Sequence, residues 1–199
     1  MTNADELCHA FYTGLVRELA PSHYVLDKTP TNVFWVEDIM RVLPKARLLC
    51  IFRDGRDVVV SEFFHLSRRG KRVAKFVKQV ENWRDAVYTQ REAAERHNIH
   101  CLRFEDLRTQ PDTTLVKILD FLALDADQAI RADMLRRSSF EFITGRKADV
   151  EDRNSFYRSG SSGDWREKLS IEQKQLFADV AGQALVDLGY ENSTDWQKW

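Results

Sequence analysis

Two short stretches of this chain carry residue types suited to gripping an anion. In IFRDGRDVVVS, residues 51–61, an apolar run ends at Arg53, and Ser61 follows eight positions later. A guanidinium is a planar fork that binds phosphate oxygens bidentately, and a hydroxyl on the next helix can converge on the same group. Between them, Asp54 and Asp57 have capping-box spacing, so either one suits the free N–H groups of a helix's first turn. In YRSGSSGDW, residues 157–165, Arg158 is followed by Ser159, Gly160 and further small residues. Gly160 and Gly163 relieve the steric limits on a backbone whose N–H groups turn inward as an anion nest. Taken singly, each stretch has a plainer explanation: a capped turn for the first, a surface loop for the second.

The elements around them set where these residues lie. Arg53 ends RLLCIF, residues 47–52, a short continuous apolar run of the kind found in strands covered on both faces. The next helix begins within three or four residues, which puts a helix N-terminus beyond the C-terminal end of a strand, where α/β sheets collect ligands. Residues Ile99 to Phe104 predict a second core strand. Helical spacing links Leu7, Phe11, Leu15 and Leu19 ahead of Pro21, and TPTNVFWVEDIMRVLP reads as a helix opened by Pro30 and closed before Pro44. Further helices are predicted over 56–67, 72–97, after Pro111 (Leu115, Ile118, Leu119, Leu122) and over 126–136. Residues 144–164 are polar and glycine-containing, a long loop of the sort that is more often functional or mobile than inert. Ser170 and Gln173 form a capping box for a last helix that should stop at Gly189. Strands alternating with helices predict an α/β fold, a parallel β-sheet flanked by helices, in one domain over residues 1–199.

Composition narrows the function classes. The chain holds 30 Lys and Arg against 31 Asp and Glu, a formal charge of −1. That balance argues against a broad nucleic-acid surface and leaves room for a local anion pocket. No apolar stretch reaches the length of a membrane span, and the polar start MTNADEL is unlike a signal peptide. Cys8, Cys50 and Cys101 show neither a disulfide framework nor metal spacing; Cys50 and Cys101 read as buried, reduced thiols. A cytoplasmic protein without a metal is the expectation.

Together the two anion-binding stretches resemble sulfotransferases that use 3′-phosphoadenosine 5′-phosphosulfate as donor. The resemblance rests on Arg53 with Ser61, on R-x-G-x-x-G-D-W from Arg158 to Trp165, on CLRFEDLRTQPDTTLVKILDFLAL, and on SSFE at 138–141, covering most of the chain from about residue 24. It implies a P-loop NTPase-like sulfotransferase fold in which Arg53, Ser61, Arg158, Ser159 and Gly160 hold the nucleotide 3′-phosphate. Ser159 stands where lysine is usual, Gly55 where proline is common, and Phe104 where tyrosine is usual, keeping an aromatic face in the nucleotide site without a hydroxyl. Ser138 and Phe140 correspond to residues that approach the adenine. Lys28, in DKTPTN, corresponds to a lysine near the bridging oxygen or acceptor, where a cation stabilises charge developing in the transition state. Glu6 and Glu18 lie on the first helix, and their spacing selects neither as a base.

The family also carries a glycine- and Ser/Thr-rich loop whose N–H groups cradle the 5′-phosphosulfate. No such turn precedes Lys28 here, and Gly14 lies inside the helical FYTGLVREL. The expectation is a fold truncated on its N-terminal side, without the first strand and this loop. The implied function is sulfuryl transfer to a hydroxyl or amine of a small-molecule or glycan acceptor. The alternative is a truncated or degenerate relative that binds nucleotide weakly or not at all and acts through partners. A nucleotide kinase needs G-x-x-x-x-G-K-[ST], which the sequence lacks.

Overall fold

A computed structural model describes residues 3–19, 25–68, 76–147 and 162–196. Helix α1 (Asn3–Leu19) precedes an extended stretch and a 3-10 turn at Pro30–Trp35, from which α2 (Val36–Val42) continues. Strand β1 (Leu48–Phe52) leads into α3 (Gly55–Arg68), and α4 (Phe76–Arg96) leads into strand β2 (Ile99–Arg103). Four helices follow: α5 (Phe104–Thr109), α6 (Pro111–Leu122), α7 (Gln128–Ser138) and α8 (Phe140–Thr144). The short α9 (Trp165–Lys168) and the long α10 (Ile171–Asp187) complete the order.

The two strands pair in parallel, from Leu48 opposite Ile99 to Phe52 opposite Arg103. Alternation along β1 turns Cys50 and Phe52 toward α4 and α10, where they pack with Val87 and Ala184. A larger apolar cluster joins Val59 and Val60 of α3, Phe76 and Val80 of α4, and Phe177, Ala181 and Leu185 of α10. Burial of such side chains contributes about 1.5–3 kcal/mol each. Trp165 and Trp196 close this cluster from the C-terminal segments. Layered this way, α3, α4 and α10 form the wall that supports the end of β1.

Local chemistry explains the element ends. Ser170 accepts from the backbone of Gln173, and the Gln173 side chain accepts from the backbone of Ser170, so α10 opens on the expected capping box. The helix closes at Gly189, whose φ of 68° is a left-handed conformation that disfavours a Cβ. Gly55 has a different reason to be glycine: a Cβ there would collide with the indole ring of Trp83.

Two helical expectations are modified. The segment opened by Pro30 starts as a 3-10 turn and becomes α-helical only at Val36, because the Thr29 hydroxyl donates to Asp27 at 2.8 Å and gives no side-chain cap. At the start of the α1 stripe the apolar side chains are not buried: Leu7 and Phe11 are 72% and 65% exposed. Polar contacts fasten α1 to α2 instead, with Asp5 paired to Arg41 and His9 Nδ1 donating to the Val42 carbonyl at 2.7 Å.

Candidate functional site

The parallel ladder ends with Phe52 beside Arg103, so the next residues on each strand, Arg53 and Phe104, come together at the sheet's C-terminal edge. The Arg53 guanidinium lies 4.8 Å from the Phe104 ring centroid, a cation–π contact. The backbone there is fixed from two sides. Trp83 Nε1 donates to the Arg53 carbonyl at 3.2 Å, and Asp54 N donates to Glu105 Oε1 at 3.1 Å. The other Glu105 oxygen accepts from Tyr190 Oη at 2.9 Å. Burial, reinforced by the Glu105 charge, pushes the Tyr190 phenol well up, which keeps it a proton donor in this bond.

The two acids of RDGRD have separate tasks. Asp54 serves the first turn of α3, accepting from Arg56 N at 2.9 Å. Its carboxylate also receives Arg56 Nε at 2.9 Å and a terminal guanidinium nitrogen at 2.8 Å, a bidentate pair. Arg56 is 1% exposed. Its guanidinium lies 3.7 Å from the Trp165 ring and 4.5 Å from the Trp196 ring, and it also pairs with Glu191.

Asp57 does not cap the helix, a correction to the interchangeable roles that spacing allows. It reaches across to the late segment, accepting from Gly163 N at 2.6 Å, Trp165 N at 3.1 Å and Ser162 Oγ at 3.5 Å. Gly163, at φ 90°, adopts the conformation these bonds need. Ser61 is one turn further along α3 on the Asp57 face and is half-buried. Arg158, Ser159 and Gly160 lie outside the described residues, but the stretch they lead into is tied to α3 by Asp57.

Burial raises the Asp57 pKa above the ordinary carboxylate value, against the pull of the Gly163 and Trp165 N–H groups. The folded chain therefore holds this proton more tightly than the unfolded chain. The stability so gained is complete below the ordinary carboxylate pKa and is lost as pH rises through the raised one. In urea unfolding from about pH 3 to about pH 7, wild type is expected to lose stability relative to Asp57→Asn across that window. A difference that stays constant with pH would remove this account of Asp57.

The remaining candidates belong to other elements. Lys28 is exposed on the extended stretch before Pro30 and makes no hydrogen bond or ion pair among the described residues. Ser138 ends α7 with its hydroxyl on the Leu135 carbonyl at 3.2 Å, and half-buried Phe140 opens α8 with the Arg146 guanidinium 5.4 Å from its ring. Sequence reading did not single out Glu105, Arg56 or Trp83. The placement of Arg56 between two acids was the only local signal for any of them.

Comparison with known proteins follows the same lines. Residues 2–128 match the model of the sulfotransferase family. The chain is 25% identical to sulfotransferase 2A1 of Macaca fascicularis, over 74% of this chain and 59% of that protein. It is 24% identical to sulfotransferase 2A1 of Homo sapiens, over 90% of this chain and 69% of that protein. Among solved structures it resembles mouse sulfotransferase SULT7A1 complexed with PAP, with a TM-score of 0.63 and 22% identity over 77% of this chain and 63% of that one. It also resembles retinol dehydratase in complex with androsterone and inactive cofactor PAP, with a TM-score of 0.59 and 19% identity over 93% of this chain and 62% of that one. The chain thus spans 59% to 69% of the length of these relatives.

Proposed function

Because the chain belongs to the sulfotransferase family and has its α/β fold, we propose that it serves sulfuryl transfer from 3′-phosphoadenosine 5′-phosphosulfate to a hydroxyl or amine of a small-molecule or glycan acceptor. One observation carries this reading: Arg53 and Phe104 meet at the ends of two parallel strands, beside the start of α3. The residues fit a nucleotide phosphate there. A guanidinium on an aromatic face is a planar fork of the kind that binds phosphate oxygens bidentately, and Ser61 stands on the helix that starts alongside.

In this reading, Arg53, Ser61 and the stretch through Arg158, Ser159 and Gly160 hold the 3′-phosphate. Asp57 keeps that stretch against α3, while Ser138 and Phe140 approach the adenine. The donor, when bound, supplies an activated sulfuryl group on a phosphate leaving group. The chain's part is to align donor and acceptor and to offset developing negative charge, for which Lys28 is the proposed cation. Among the described residues no helix is long and apolar enough to cross a membrane. A cytoplasmic site of action belongs to the same proposal.

A second reading is a partner-dependent relative that binds nucleotide weakly. Calorimetry separates the two. Adenosine 3′,5′-bisphosphate is expected to bind at least tenfold more tightly than adenosine 5′-monophosphate, about 1.4 kcal/mol for the extra phosphate. Equal affinities would abandon the phosphate site and favour the second reading.

A further inference from the structure

The β1–β2 ladder sets two cysteines side by side, since Cys50 and Cys101 are register partners on parallel strands. Neighbouring strands lie about 4.7–4.9 Å apart, inside the roughly 4.4–6.8 Å between Cα atoms that a disulfide spans. The two thiols differ in setting. Cys50 is buried against Val87 and Ala184, and its thiol reaches Gln90 Oε1 at 2.9 Å. Cys101, expected from sequence to be buried, is exposed, because the apolar layer over β1 does not extend across its side chain. The third cysteine, Cys8, is also exposed but belongs to α1, away from the ladder.

We propose that Cys50 and Cys101 form an oxidation site that reacts with hydroperoxides, Cys101 attacking first and Cys50 resolving the product into a cross-strand disulfide. In the first step the Cys101 thiolate attacks one peroxide oxygen. An S–O bond forms, the O–O bond breaks, and the departing oxygen leaves as water or an alcohol after taking a proton. Cys101 becomes a sulfenic acid, oxidised by two electrons, and the peroxide is reduced by two. In the second step the Cys50 sulfur attacks the Cys101 sulfur. The S–S bond forms, the S–O bond breaks, and the hydroxyl departs with the Cys50 proton as water. A dithiol reductant restores both thiols by exchange.

The chemical division of labour agrees with the surroundings. The neighbouring Cys50 thiol favours the thiolate of Cys101 and lowers its pKa, against the effect of burial. Its Cys101 neighbour and burial keep Cys50 a thiol. The thiolate is the nucleophile, so the accessible member of the pair is the reactive one.

A disulfide draws Cβ atoms to about 3.8 Å, closer than the ladder spacing. That pinch would fall three residues before Arg53 on one strand and before Phe104 on the other. Oxidation is therefore expected to disturb the Arg53–Phe104 contact and raise the Kd for adenosine 3′,5′-bisphosphate severalfold. This consequence rests on the proposed phosphate site, whereas the thiol chemistry does not.

The test uses the full chain with hydrogen peroxide, followed by peptide mapping under non-reducing conditions. Wild type is expected to give a Cys50–Cys101 linkage that dithiothreitol reverses, and this measurement needs no variant to fold. Cys50→Ser should stop at the sulfenic acid, trapped by dimedone on Cys101 faster than on Cys8. Cys101→Ser should leave Cys50 unmodified at the same dose. Oxidation of Cys8 ahead of Cys101, or no link between Cys50 and Cys101, overturns the site. Calorimetry on the linked chain reads the coupling: unchanged affinity refutes it, and no affinity in either redox state refutes the nucleotide reading while leaving the mapped disulfide in place.

Discussion

Arg53→Ala is expected to weaken binding of adenosine 3′,5′-bisphosphate roughly 10- to 150-fold, the equivalent of about 1.5–3 kcal/mol for hydrogen bonds to a charged group. The variant should remain folded. The Trp83 bond goes to the Arg53 carbonyl, which alanine keeps, and the Phe104 ring loses only a cation–π contact of about 0.5–1 kcal/mol. Adenosine 5′-monophosphate, which has no 3′-phosphate, serves as the control, and its affinity should not change with the substitution. Arg53→Lys should recover part of the loss, since it restores charge without the planar fork. Calorimetry on the three chains decides the matter. If Arg53→Ala binds the bisphosphate as tightly as wild type, Arg53 does not hold the 3′-phosphate.

The largest expected effect on stability belongs to Arg56. Its side chain is buried against two tryptophan rings, forks onto Asp54 and reaches Glu191. Removing one partner of a buried ion pair leaves the other charge uncompensated, which costs about 3–5 kcal/mol. Arg56→Ala leaves Asp54, itself 7% exposed, with no Arg56 guanidinium and leaves a void in the corner formed by the Trp165 and Trp196 rings. In a chain of this size each kcal/mol shifts Tm by about 2–4 °C, so the drop should be roughly 6–20 °C in a thermal melt. Arg56→Lys should fall between, keeping the charge and losing the stacked fork. A melt for Arg56→Ala within a degree or so of wild type would mean that the clasp contributes little.

Local patterns were enough to read much of this fold. The apolar run ending at Phe52, the capping box at Ser170 and the stop at Gly189 each depend on residues within a few positions of one another. The meeting of Arg53 and Phe104 follows from one register between two strands, so the site was half visible once both strands were placed. Its supports were not. Asp57 bonds to residues 106 and 108 positions later, and no local spacing separates that role from helix capping. Trp196 gave no local signal, because its partner Arg56 comes from the far end of the chain. The exposed Cys101 was misread for a related reason: an apolar run shows that a strand is covered, but not how far along the cover extends. Lys28, Ser138 and Phe140 were suggested by family pattern, and nothing local linked them to Arg53.

The Arg56 clasp also sets an order on how the protein is made. Glu191 lies 135 residues after Arg56, so on a ribosome β1 and the start of α3 emerge long before their second carboxylate and second tryptophan exist. Until then a guanidinium destined for a dry site stays in water, and the end of β1 lacks its support from Glu191 and Tyr190. Closing so long a span is an entropic cost met late. The nascent chain should therefore hold its helices early and fix the edge where Arg53 meets Phe104 only after the C-terminal segment has cleared the exit tunnel.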